Sequence, residues 1–171
     1  MVAISQKPRR GCRTLVPMAV LVACLGIAGA AQAQTVSSDG KNSLLTVPVE
    51  GNLDAVFFYD DLTRELTGFV LNVNGVFNVA YKVNIEKFFT GPSGKVISDP
   101  RFLFATGKVS IRNRGRVTFG SGMIYITEAK TGRMVALGLP WTTSYRTSAK
   151  TFVLEPILFQ KFALRDVEAD E

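Results

Sequence analysis

Between Ser43 and Leu164 the chain is a series of short runs rich in Val, Ile, Phe, Tyr and Thr, broken by Gly, Asn, Asp and Pro. No stretch carries a sustained 3.6-residue apolar repeat. Helical folds are therefore excluded, and an all-β domain is predicted. The candidate strands are Ser43 to Val49, Leu53 to Tyr59, Leu66 to Asn72, Val76 to Ile85, Phe102 to Arg112, Arg116 to Phe119, Met123 to Glu128, Arg133 to Leu139 and Thr151 to Leu164. Pro156 has no N–H to give a ladder, so the last run must contain an edge, a bulge or a break there.

Three turns can be placed by asking which loop length puts apolar residues on one face of both arms. In "FVLNVNGVFNV" a loop Val73-Asn74-Gly75 pairs Leu71 with Phe77 and Phe69 with Val79, and puts Gly75 where a turn with a bulge needs a left-handed residue. In "VSIRNRGRVTF" a loop Asn113-Arg114-Gly115 pairs Ile111 with Val117 and Val109 with Phe119. In "IYITEAKTGRMVAL" a loop from Ala129 to Gly132 pairs Ile126 with Val135 and Ile124 with Leu137, and sets Glu128 beside Arg133 as an ion pair. Together these hairpins predict an antiparallel β-sandwich or partly open β-barrel of about eight strands.

The first 33 residues read differently, as an export signal: a basic head (Lys7, Arg9, Arg10, Arg13), an apolar stretch from Leu15 to Ile27, and a small-x-small site ending at Ala33. Cleavage between Ala33 and Gln34 is expected to release the protein. The competing site is Cys24, because Leu21-Val22-Ala23-Cys24 resembles the lipobox of bacterial lipoproteins, in which the cysteine is acylated; the apolar residues after it fit that pattern poorly. The expected organisation is a signal segment over 1–33, a flexible segment over 34–42, one β-domain over 43–164 and an acidic tail over 165–171. No transmembrane helix is expected after the signal.

Removing the leader changes the charge argument. Of 20 Lys and Arg, four lie in the leader, which leaves 16 against 14 Asp and Glu. A balance of +2 no longer suggests a nucleic-acid partner, although the whole chain's excess of +6 would. Both cysteines, Cys12 and Cys24, also lie in the leader, and the chain has no His. From Gln34 onward there is thus no Ser-His-Asp or Cys-His nucleophile, no imidazole base, no disulfide and no zinc site of the usual kind. No cofactor is expected, and stability has to come from a core. All 12 Phe, all four Tyr and Trp141 follow the leader and can supply one.

The stretch "VFFYDDLTRELTGFVL", Val56 to Leu71, resembles small exported bacterial proteins of unknown function. The resemblance implies export and a β-rich fold, and nothing about activity.

Four features are candidates for function. Lys108, Arg112, Arg114 and Arg116 gather on the second hairpin, where like charges opposite one another weaken a sheet by about 0.2–1 kcal/mol. They suit an anionic partner such as an acidic polysaccharide, a lipid headgroup or a protein, or else they are a solvated tip that resists edge pairing. The acidic end "RDVEADE" could fold back on them. Asp60, Asp61 and Glu65 flank the first turn, where two acids could serve a glycosidase or a calcium ion, although Asp before a turn commonly caps its own backbone. In "GLPWTTSYRTSAK", Trp141, Tyr145 and Arg146 suit carbohydrate or partner contact at a sandwich end, or else Trp141 plugs the core.

The expected function is a non-enzymatic binding or structural role in the bacterial envelope or outside the cell. A carboxylate-dependent hydrolase is the rival. A small-ligand β-barrel is the third reading, and it predicts a cavity lined by Phe57, Phe69 and Phe77.

Overall fold

Residues 36–90, 96–110 and 115–165 are described by a computed structural model. It contains ten strands: β1 (Val36–Ser38), β2 (Asn42–Glu50), β3 (Leu53–Asp60), β4 (Glu65–Leu71), β5 (Phe77–Asn84), β6 (Phe102–Lys108), β7 (Phe119–Glu128), β8 (Arg133–Pro140), β9 (Phe152–Leu154) and β10 (Ile157–Ala163). They form two sheets, one in the order β1-β2-β3-β4-β5-β9 and the other β10-β8-β7-β6. Every neighbouring pair is antiparallel except β5 and β9. The sheets do not close into a barrel.

The core lies between them, with β2 crossing β6 and β7. Sheet one supplies Leu45, Val47, Phe57, Leu66 and Tyr81, and sheet two supplies Ile124, Ile126, Leu137 and Leu139, all with no exposed surface. Every side chain of the core cluster falls between Leu45 and Trp141. Burying one such large apolar side chain stabilises a fold by about 1.5–3 kcal/mol. Phe57 stacks on Tyr81 with ring centroids 5.5 Å apart. Gly68 makes that stacking possible: a Cβ there would sit 2.4 Å from the Phe57 ring.

The third hairpin has the predicted register, with Ile126 opposite Val135, Ile124 opposite Leu137 and Glu128 opposite Arg133. The predicted ion pair does not form. Glu128 turns inward instead and is fully buried, while Arg133 donates to the carbonyl of Thr90 at 3.2 Å.

The first hairpin departs more. Leu71 pairs with Phe77 and Gly75 is left-handed at φ 74°, as expected, but Asn78 bulges out of register and Phe69 pairs with Ala80 rather than Val79. Its faces are also inverted. Leu66, Val70, Val79 and Tyr81 point into the core, while Phe69, Leu71 and Phe77 are exposed. Phe57 therefore faces inward and Phe69 and Phe77 outward, so no cavity is lined by all three. Alternation could not reveal this, because both faces of this hairpin are apolar.

The second hairpin is paired two residues away from the expected register. Lys108 lies opposite Gly122, and Val109 donates to the carbonyl of Ser121 at 2.7 Å, so Val109 does not face Phe119. The predicted break at Gly120-Ser121-Gly122 is absent, and β7 runs through it. The glycines admit β2: a Cβ on Gly122 would lie 2.2 Å from the carbonyl oxygen of Pro48, and one on Gly120 3.0 Å from that of Val49.

Two further differences involve the ends. The run Thr151 to Leu164 breaks at buried Pro156, and the break sends β9 to one sheet and β10 to the other. The segment expected to be flexible before Ser43 carries β1, and Asp39 caps the turn into β2 by accepting from the N–H of Lys41 at 2.9 Å. No helix among the described residues is long and apolar enough to cross a membrane.

Candidate functional site

The strands leave a cleft at one end of the sandwich, and close backbone approach creates it. Because Gly120 and Gly122 lack side chains, β7 lies against the end of β2, and the Ser121 hydroxyl donates to the Val49 carbonyl at 3.3 Å. Beyond Pro140 the ladder continues for one more step. Trp141 donates its N–H to the carbonyl of Thr118 at 3.0 Å, and the Thr118 hydroxyl donates back to the Trp141 carbonyl.

Glu50 ties the two sides together. Its carboxylate accepts from the Trp141 indole N–H at 2.9 Å and from the Thr143 hydroxyl at 3.0 Å. Above this floor opens a cleft of about 670 Å³, with Lys108, Ser110, Phe119 and Thr142 among its walls. Among the described residues it presents one ammonium, one carboxylate and several hydroxyls around a small apolar base.

Two of the clusters singled out in the sequence meet here, since Lys108 and Trp141 both line the cleft. The indole itself is 4% exposed, beneath the floor rather than displayed. Tyr145 stands edge-on to it at 5.6 Å and leans on Phe152 at 4.3 Å, so this aromatic string faces inward. Arg146 and Arg116 are exposed and do not line the cleft. Arg112 and Arg114, the acids from Asp166 onward, and Cys24, Ala33 and Gln34 lie outside the described residues.

The polar loop after Trp141 is held by the tip of the first hairpin. Asn78, fully buried in its bulge, donates to the carbonyls of Tyr145 and Ser148 at 2.5 and 3.0 Å, and Asn72 donates to Ser148 at 2.9 Å. Sequence reasoning passed over Glu50, Asn72 and Asn78. An asparagine inside an apolar run such as "VFNVAYKV" was the signal, because a buried amide requires partners.

The three acids of the first turn do not converge. Asp60 caps the turn by accepting from Leu62 N–H at 2.9 Å and the Thr63 hydroxyl at 3.1 Å. Glu65 pairs with Lys82 at 3.1 Å, and Asp61 pairs with Arg64. Asp61 instead shares a smaller cleft, of about 390 Å³, with Asp99, Arg101 and Tyr59. Burial, and then the charge of Asp61, push the Tyr59 hydroxyl up to about 12 even though Arg64 opposes the shift. The ammonium of Lys130, 3.2 Å away, holds the Asp99 carboxyl below its ordinary value. A general acid requires the opposite, a carboxyl raised by its surroundings. Among the described residues no group of three or more acids is placed to hold a metal ion.

Fold and cleft together define a two-sheet, all-β protein with an open polar site at one end. Comparison with protein-family models, curated proteins and solved structures finds no match for this chain.

Proposed function

We propose that this chain is an exported, non-enzymatic binding module whose end cleft takes an acidic polysaccharide. The observation that carries the reading is the meeting of Lys108 with the Trp141–Thr143 segment in one open cleft. An ammonium beside hydroxyl groups suits a sugar bearing a carboxylate or sulfate, because the cation can make a charge-assisted hydrogen bond while the hydroxyls match neutral positions on the ring. Arg112, Arg114 and Arg116 follow Lys108 in sequence and add positive charge to the same stretch of chain. Glu50 is the opposing charge in the cleft, and the dipoles of the Trp141 N–H and the Thr143 hydroxyl that it accepts from offset part of it.

Calorimetric titration with a polyuronate tests the proposal. The wild-type protein is expected to bind it with an affinity that falls as salt rises. Lys108→Gln should weaken binding about tenfold, the worth of one charge-assisted hydrogen bond. Replacing Arg112, Arg114 and Arg116 together with Ser should flatten the salt dependence. Equal binding of a neutral glucan, or indifference to both variants, would contradict the proposal.

Export rests on the signal-like features of the first 33 residues. Intact mass of the protein recovered from its host is expected to place the N-terminus at Gln34. An acylated N-terminus at Cys24 would make it a membrane-anchored protein instead, and an unprocessed chain would remove the case for export.

A further inference from the structure

The outer face of sheet one is apolar at its centre. Leu44 on β2 pairs with Phe58 on β3, and the next row holds Val56, Phe69, Ala80 and Val153, from β3, β4, β5 and β9 in turn. Beside them Leu71 pairs with Phe77, whose ring meets Phe69 edge-on at 6.3 Å. The large members of this patch are between 45% and 74% exposed. At roughly 150–250 Å² for a fully exposed large side chain, they present on the order of 700 Å² of continuous surface. That exceeds the about 300–600 Å² typical of a monomer's largest apolar patch and approaches the ~800 Å² each partner gives to a stable interface.

We infer that this face is a two-fold interface between two copies of the chain, packed sheet against sheet. The charges on the face support a second copy over any other occupant. In register, Val56 pairs with Phe69 and Phe69 with Ala80, while Asp54 lies two residues before Val56 and Lys82 two residues after Ala80. Since β3 and β5 run in the same direction, Asp54 and Lys82 stand at diagonally opposite corners with Phe69 midway. A two-fold axis lying in the face over Phe69, at right angles to that diagonal, sets Asp54 of each copy against Lys82 of the other and stacks Phe69 on its equivalent. An isologous contact requires such self-complementarity. An anionic lipid surface would meet Asp54, Asp60 and Glu65 on this face against the ammonium of Lys82, which between two copies can bridge its own Glu65 and the other copy's Asp54.

Analytical ultracentrifugation from nanomolar to high micromolar concentration tests the inference, on the chain with and without residues 1–33. The core cluster lies wholly between Leu45 and Trp141, so the shorter form keeps it. A dimer is expected for both forms. Phe77→Lys combined with Val153→Lys should give a monomer that still unfolds in one cooperative transition, with a melting temperature that no longer rises with protein concentration, because these two side chains are the most exposed of the patch, at 62% and 74%. Asp54→Lys should raise the dissociation constant about tenfold, whereas Leu62→Lys, at a 91% exposed position off the patch, should leave it unchanged. A wild-type monomer at every concentration overturns the inference, and so does a dimer that survives the double lysine variant or forms only when residues 1–33 are present. A monomer that binds neutral lipid vesicles through the same residues assigns the face to a membrane instead.

Discussion

Gly122→Ala is expected to destabilise the fold by about 3 kcal/mol, a large overpacking cost, and to lower the melting temperature by roughly 10 °C for a domain of this size. The added methyl would lie 2.2 Å from the carbonyl oxygen of Pro48, and that oxygen belongs to a strand that cannot swing aside as a side chain can. Either β2 separates from β7 or β7 bends away from Lys108, its neighbour on β6. Both movements reach the cleft, so polyuronate binding should fall with stability. Gly107→Ala is the control, because its Cβ would meet only the edge of the Tyr125 ring, at 3.1 Å. Thermal melts of the two variants decide the matter. A Gly122→Ala protein as stable as the Gly107→Ala protein would show that the close crossing of β2 and β7 has been misjudged.

Glu128→Ala should be comparably damaging, at about 3 kcal/mol or more, since several hydrogen bonds to one buried charge are lost together. The carboxylate accepts from the backbone N–H groups of Arg101 (3.2 Å), Lys130 (3.1 Å) and Thr131 (2.8 Å) and from the Thr131 hydroxyl (2.7 Å). It thereby fastens the 129–132 turn to the segment entering β6. Burial alone would raise its pKa, but the bonds from Thr131, Lys130 and Arg101 outweigh burial and hold it below the ordinary 4.5. The sign of the pH effect follows from that depression. The stabilisation is complete above the unfolded-state pKa and is lost as pH falls through the lower folded value. Glu128→Gln should therefore be less stable than wild type at neutral pH, with the gap closing on acidification. Denaturant melts across pH would refute this if the gap stayed constant.

Strand positions were legible because turn chemistry is local. Gly75 and Gly132 both adopt the left-handed backbone their loops require, at φ 74° and 68°, and Pro156 breaks the last strand where its missing N–H demanded a break. Facing was not legible wherever both sides of a strand are apolar. Leu66 and Val70 compete with Phe69 and Leu71 for the core on β4, and only the packing of Phe57 over Gly68 decides between them. Gly120 and Gly122 misled for a related reason: glycine in a strand reads as a break when the partner strand that needs the space is not yet known.

The site was half legible. Lys108 and Trp141 were singled out separately, as a cation on a hairpin and an aromatic in a loop, because sequence carries no sign that positions 33 residues apart share one cleft. Glu50, which accepts from Trp141 and lines the same cleft as Lys108, drew no notice as a single acid before a turn. The inward orientation of Trp141 follows from that missing partner, since an indole N–H can be buried only where an acceptor awaits it.

Titrating the isotopically labelled protein with a uronic-acid oligosaccharide and following its backbone amide resonances tests the central claim most directly. The largest shifts are expected at 49–51, 108–110, 118–121 and 141–143, the segments that enclose the cleft, and in Lys108→Gln they should need about tenfold more ligand to reach the same size. Shifts confined to the cleft around Asp61 and Asp99, or spread evenly over the exposed lysines and arginines, would contradict the assignment of the site.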